Sequence, residues 1–205
     1  MSNIDTIIFD LGGVLIDWNP EYVFLDVFHG DRKKMQWFFD TICTTEWNEN
    51  QDAGYPITKA NEDLVTLFPD YEKEIRIFYG RWEDMLGGAI TGTVNILKTL
   101  IDSKNYKVVA LTNWSTETFP IALERFEFLQ WFEGIIVSGE EKTRKPFDKI
   151  YNLTLERFQI KAENAIFIDD NLRNIQAANN LGIHGIQFKS PKDLVAQLKN
   201  YNIQL

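Results

Sequence analysis

The chain has 205 residues, 44% of them hydrophobic and 25% charged, which suits one α/β domain with a smaller insert. A formal net charge of −9 argues against nucleic acid and an anionic membrane surface as partners, since both select for lysine and arginine. The single cysteine, Cys43, excludes an intramolecular disulfide and a cysteine-only metal cluster and fits a reducing compartment.

Residues 4–9 are an apolar run with Ile4, Ile7, Ile8 and Phe9, which predicts a fully buried strand. It ends in a lone carboxylate, Asp10, followed by Gly12 and Gly13, where the backbone can turn sharply and approach a ligand closely. With this strand so near Met1 and no apolar run of spanning length, neither a signal peptide nor a membrane helix is expected, and a cytoplasmic location is. After the break at Asp17-Trp18-Asn19-Pro20 the pattern turns helical. Apolar residues recur at helical spacing through Phe24, Phe28, Met35, Phe38, Leu64, Ile75, Phe78 and Trp82. Asp31 is expected to cap the second helix of this stretch and Thr58 the third. Trp18, Trp37, Trp47 and Trp82 are expected mainly in its core, with one or two facing a cleft.

From Ala89 strands and helices alternate. The pattern predicts a helix over 91–103, a strand over 106–111 running into Thr112-Asn113, and a helix near 116–126 with Pro120 in its first turn or kinking it. A strand over 134–138 leads through the loop 139–146, which carries Arg144 and Lys145, into a helix over 147–158. The strand 165–168 ends in Asp169-Asp170, and the helix 172–181 stops at Gly182. A short strand over 183–188 follows, then Ser190-Pro191 as an N-cap and first turn opening the last helix. Such alternation predicts an α/β fold with a Rossmann-like, three-layer parallel sheet built from residues 1–17 and 89–205, and a helical insert over 18–88.

Three strands thus deliver polar residues to one rim of the sheet: Asp10, Thr112-Asn113 and Asp169-Asp170. Converging carboxylates repel unless a cation lies between them, and a chain with only His29 and His184 as histidines points to oxygen-ligated Mg²⁺ rather than Zn²⁺. Lys145 is placed to hold a phosphate and the Asp10 carboxylate together. Thr112 and the N–H groups after it suit phosphoryl oxygens at a helix start. Helix capping by Thr112-Asn113 or Asp169-Asp170, and an exposed basic turn at Arg144-Lys145, are the alternative uses of the same residues.

In Phe9-Asp10-Leu11-Gly12-Gly13-Val14-Leu15, Leu111-Thr112-Asn113, Arg144-Lys145-Pro146 and Ile168-Asp169-Asp170-Asn171, the chain resembles the haloacid dehalogenase superfamily over essentially its whole length. Among its members it looks closest to small-molecule phosphatases such as hexose-1-phosphate phosphatases, and its helical insert looks like a C1-type cap. The resemblance implies Asp10 as nucleophile, with Thr112 and Lys145 binding the transferred group and Gly12, Gly13, Asn113 and Trp114 contacting substrate. It further implies Mg²⁺ held by Asp10, the Gly12 carbonyl, Asp169 and Asp170, and a small phosphorylated metabolite as substrate. One position departs from the pattern. Phosphatases of the superfamily usually carry a second Asp two residues after the nucleophile as general acid and base, and here that residue is Gly12. Loss of such a group costs on the order of 10²–10⁴ in rate. Asp17 or a side chain of the insert is then the remaining proton source, and activated esters are the expected substrates. The dehalogenase branch also lacks that Asp, so a 2-haloacid dehalogenase and a non-catalytic phospho-ligand binder are the alternative functions.

Overall fold

The computed structural model describes residues 3–205. The chain opens with strand β1 (Thr6–Phe9) and a short β2 (Ile16–Trp18), then runs through five helices: α1 (Glu21–Val27), α2 (Arg32–Thr41), α3 (Thr45–Asp52), α4 (Ile57–Leu67) and α5 (Glu72–Gly80). It returns through β3 (Leu86–Ala89) into α6 (Thr91–Ser103), β4 (Lys107–Thr112), α7 (Phe119–Arg125), β5 (Ile135–Val137) and the one-turn α8 (Ser138–Glu141). The last part is α9 (Asp148–Arg157), β6 (Ala165–Asp169), α10 (Leu172–Asn180), β7 (His184–Gln187) and α11 (Pro191–Asn200).

Five strands form one sheet in the order β5-β4-β1-β6-β7, with every neighbouring pair parallel. Because β1 is central, the chain builds outward from it through β4 to β5 and then crosses back to β6 and β7 on its other side, and the crevice above its C-terminal end lies where that order reverses. The register fixes what meets there. Phe9 pairs with Ala110 on one side and Ile168 on the other, so Asp10 emerges level with Leu111 and Asp169. Alternate residues divide between two apolar layers: Ile7, Phe9, Val108, Ala110, Ile166 and Ile168 pack on one face, and Ile8, Val109, Leu111 and Phe167 on the other.

The first of these layers is continuous with the aromatic core of the helical stretch, where Phe24 packs 5.3 Å from Phe38 and 5.9 Å from Phe78 between ring centroids. β2 and β3 form an antiparallel ribbon, Ile16 opposite Ala89 and Asp17 opposite Gly88, where the chain enters and leaves that stretch. Local signals act where expected at three ends. Asp31 accepts from the Lys33 and Lys34 N–H groups, Ser190 accepts from Asp193, and Gly182 takes the left-handed conformation after α10.

Elsewhere the structure corrects the sequence reading. Thr58 is not a cap: α4 starts one residue earlier, at Ile57, behind Pro56. Trp37 is 42% exposed rather than core. The helix expected near 116–126 is shorter, with Pro120 in its first turn. Helix α3 was not expected at all. Its sequence TEWNENQD has no apolar periodicity, and it starts instead from Thr44, whose hydroxyl accepts from the Trp47 N–H at 3.1 Å.

Candidate active site

Burial of an ammonium group organises the site. Lys145, only 1% exposed, places Nζ 2.8 Å from Asp10 Oδ1, 2.7 Å from Asp169 Oδ2 and 3.1 Å from the Leu111 carbonyl. Burial alone would lower its pKa, but the two carboxylates outweigh it and hold the lysine above its ordinary value. Asp169 is fully buried and held from all sides. Beside Lys145, it accepts from the Asn171 N–H at 2.8 Å, and Asn174 Nδ2 donates to its Oδ1 and Oδ2 at 3.1 and 3.0 Å. Asn174, one turn into α10, was not singled out from sequence. Its place on the inward face of the helix after Asp169-Asp170 is the signal that marks it.

The other predicted residues divide by what their atoms are free to do. Both polar atoms of the Asn113 amide are engaged by the Lys145 backbone: Nδ2 donates to its carbonyl at 3.0 Å and Oδ1 accepts from its N–H at 2.8 Å. It therefore positions Lys145, although its surface borders the cavity. Thr112 is buried at the end of β4, paired with Val137, and is not among the residues lining the cavity. The backbone N–H of Trp114 donates to Ser138 Oγ and that of Gly13 to the Ile16 carbonyl, so neither backbone group is a free donor, whereas the buried Trp114 Nε1 has no partner among the described residues. Gly13 has φ +72°, and a Cβ there would lie 2.4 Å from Asp170 Oδ2; glycine is what lets the turn close over that carboxylate. A Cβ at Gly12, by contrast, would meet no atom within 4 Å.

A cavity of about 230 Å³ opens above these groups, floored by Asp10, Gly12, Gly13 and Asp170. Trp82 and Trp114 form part of its wall with ring centroids 5.4 Å apart, and Trp18, Asn48 and Asp52 come in from β2 and α3. Two of the tryptophans expected mainly in the core thus face the cleft. Asp17 does not. It accepts from the Tyr22 hydroxyl at 2.6 Å and is not among the lining residues, so the geometry gives it no part in the site. The unpredicted α3 is the larger finding, because it carries Asn48 and Asp52 to the cavity. It is also tied to the core through Glu49, which pairs with Arg144 at 2.9 Å and with Arg173.

Carboxylate oxygens of Asp10, Asp169 and Asp170 all lie within 4.8 Å of one another, facing a single ammonium. Asp10 is pushed well above the usual carboxylate range, chiefly by burial, with Lys145 pulling it down and Asp169 and Asp170 pushing it up. Asp170 is raised by burial and by Asp169, against Lys145. An all-oxygen donor set carrying excess negative charge fits a hard divalent cation. Since Asp169 is filled with protein donors, Asp10 and Asp170 are the carboxylates open to it.

A family model described as haloacid dehalogenase-like hydrolase matches residues 7–188. The chain belongs to this family. Among relatives of the haloacid dehalogenase-like chain, the phosphoglycolate phosphatase of Vibrio cholerae is 22% identical over 193 residues, 90% of this chain and 84% of that protein. The sesquiterpene phosphatase astK of Aspergillus oryzae is 28% identical over 182 residues, 87% of each. Among solved structures, the fold is shared with a haloacid dehalogenase-family enzyme of Bacteroides thetaiotaomicron in a magnesium complex. The TM-score is 0.71 at 22% identity, covering 96% of this chain and 99% of that one.

Proposed function

We propose that the protein is a Mg²⁺-dependent phosphatase that hydrolyses a small phosphomonoester, such as a sugar phosphate, through an aspartyl-phosphate on Asp10. The observation that carries this reading is the excess of carboxylate over ammonium at the end of β1 and β6. Three acids within 4.8 Å share one lysine, an arrangement that suits a cation-dependent reaction better than a metal-free displacement. The names of the full-length relatives, phosphatases in both cases, agree with it.

In this reading Asp10, the Gly12 carbonyl and Asp170 would hold Mg²⁺, with the Asp169 carboxylate beside them. Bound Mg²⁺ supplies charge neutralisation at the phosphoryl oxygens. The chain's own residues do the rest. Both hydrogen bonds to Asp10, from Lys145 and from the Leu11 N–H at 2.8 Å, fall on Oδ1, which fixes the carboxylate plane and leaves Oδ2 for attack on phosphorus. Lys145, itself fixed by Asn113, offers its charge to the transferring group. Residues 18–88 act as a cap over the core of residues 1–17 and 89–205, and closure of that cap over the cavity would exclude bulk water.

The deciding experiment is turnover of a panel of phosphate esters with Mg²⁺ and with EDTA. Phosphate release that needs Mg²⁺ and disappears in Asp10→Asn supports the reading. The lack of a carboxylate at Gly12 keeps one rival in view, because halide needs no proton to leave. Halide release from 2-haloacids in EDTA, with no ester turned over, would establish the dehalogenase instead.

A further inference from the structure

An alkoxide leaving from phosphorus needs a proton, and position 12 has no side chain to give one. The groups lining the cavity narrow the source. Its titratable side chains are Asp10, Asp170 and Asp52, and the first two belong to the carboxylate cluster that faces Lys145. Asp52 stands apart from that cluster, on the last turn of α3.

Its setting is built. Asn48, one turn earlier on the same helix and also lining the cavity, donates from Nδ2 to Asp52 Oδ2 at 3.3 Å, and accepts from the Tyr79 hydroxyl at 2.9 Å. The helix end is pinned to the core by Ser138, whose hydroxyl donates to the Asp52 carbonyl at 2.5 Å and accepts from the Trp114 N–H at 2.9 Å. The Glu49 pairs with Arg144 and Arg173 fix the turn above. A polar helix with no apolar stripe, anchored at successive turns, is how a side chain is held over a cavity rather than left to wander.

We propose that Asp52 is the general acid, and then the general base, of phosphoester hydrolysis, supplying from the helical stretch the carboxyl group that Gly12 lacks. This rests on the phosphatase reading above. Asp10 Oδ2 forms a bond to phosphorus as the P–OR bond breaks, and the Asp52 carboxyl proton passes to the departing oxygen, giving ROH. The Asp52 carboxylate then takes a proton from water as the water oxygen attacks the aspartyl-phosphate, releasing inorganic phosphate and restoring both acids. The surroundings suit a group that must do both. Burial and the Glu49 carboxylate raise Asp52 to about 7, while Arg144, Lys145 and the Ser115 N–H restrain it. Tyr79, on α5, faces it through Asn48 with its own hydroxyl kept protonated by burial and by Asp52.

The test compares kcat/KM for ethyl phosphate and p-nitrophenyl phosphate, with Mg²⁺, in wild type and Asp52→Asn over pH 5 to 9. Asp52→Asn is expected to lose on the order of 10²–10⁴ on ethyl phosphate and less than about tenfold on p-nitrophenyl phosphate, whose anion leaves without a proton. The wild-type profile on ethyl phosphate should fall above a pKa of about 7, and that limb should be missing in the variant. Retained p-nitrophenyl phosphate turnover also shows that the variant is folded. Equal losses on the two esters, or a wild-type ethyl phosphate profile flat through pH 9, overturn the assignment of Asp52 alone. A wild type inert on both esters overturns the phosphatase reading, and this one with it.

Discussion

Asp52 makes a prediction about stability that involves no substrate. Its carboxyl is raised from an ordinary 3.8 to about 7 in the folded protein, largely by burial. Between those values the folded chain holds a proton there that the unfolded chain releases. Stability is therefore fully present below about pH 4 and falls as pH rises toward 7, by up to 1.36 kcal/mol for each pH unit. The span gives a ceiling of roughly 4 kcal/mol, and half-burial of the residue reduces it to about 2. Asp52→Asn removes the titration and keeps the size. Urea unfolding of both proteins in EDTA, at pH 4.5 to 8.5, measures the difference free of other groups, which cancel. The variant should gain on the wild type steadily up to pH 7 and hold its lead beyond. Two curves that stay parallel throughout would refute the assignment of a raised pKa to Asp52.

Lys145→Ala leaves three carboxylates without their ammonium and should cost about 3–5 kcal/mol in urea unfolding, along with most turnover. Thr112→Ala, outside the cavity lining, should cost far less turnover, and equal losses would move the phosphate site elsewhere. Asp170→Asn should weaken Mg²⁺ binding by calorimetry on the order of 10–100-fold or more, and an unchanged affinity would remove Asp170 from the cation site. Gly13→Ala combines a positive φ with a Cβ driven into Asp170, so urea unfolding should show a loss of about 1–2 kcal/mol or more; no loss would mean the turn relaxes. Gly12→Asp meets open space, and in the Asp52→Asn background it should restore at least about tenfold of ethyl phosphate turnover; no gain would show that a carboxylate there misses the ester.

The sheet and its acids were legible because the evidence for them is local. Apolar runs such as Tyr106–Leu111 and Ala165–Ile168 read as buried strands, and each is followed by the polar residues that a parallel sheet must gather on one rim. Caps at Asp31 and Ser190 were legible for the same reason. Helix α3 was not, since its sequence has no apolar period and it is held by Thr44, by Trp47 packed on Phe78 and Tyr79, and by ion pairs to Arg144 and Arg173, far along the chain. The use of Asn113 was hidden too. An amide after a strand looks equally like a cap or a ligand contact, and only the fold brings it against the Lys145 backbone, 32 residues away. Which tryptophans face the cleft likewise depends on packing between helices whose relative placement periodicity does not set.

The antiparallel ribbon of β2 and β3 has a consequence for how such a chain can be rebuilt. Because Asp17 sits opposite Gly88, the helical stretch begins and ends at hydrogen-bonding distance. Doubling the length of a flexible loop closed in this way changes its closure entropy by only about 0.6 kcal/mol. Chain closure therefore sets little limit on the size of the stretch, and the larger demand on a replacement is an apolar face to cover the sheet layer that now runs on into its aromatic core. A replacement must also reproduce the grip: an acid at the place of Glu49 to meet Arg144 and Arg173, and a carbonyl for Ser138. Those few contacts decide where any side chain carried by the exchanged part comes to rest over Asp10.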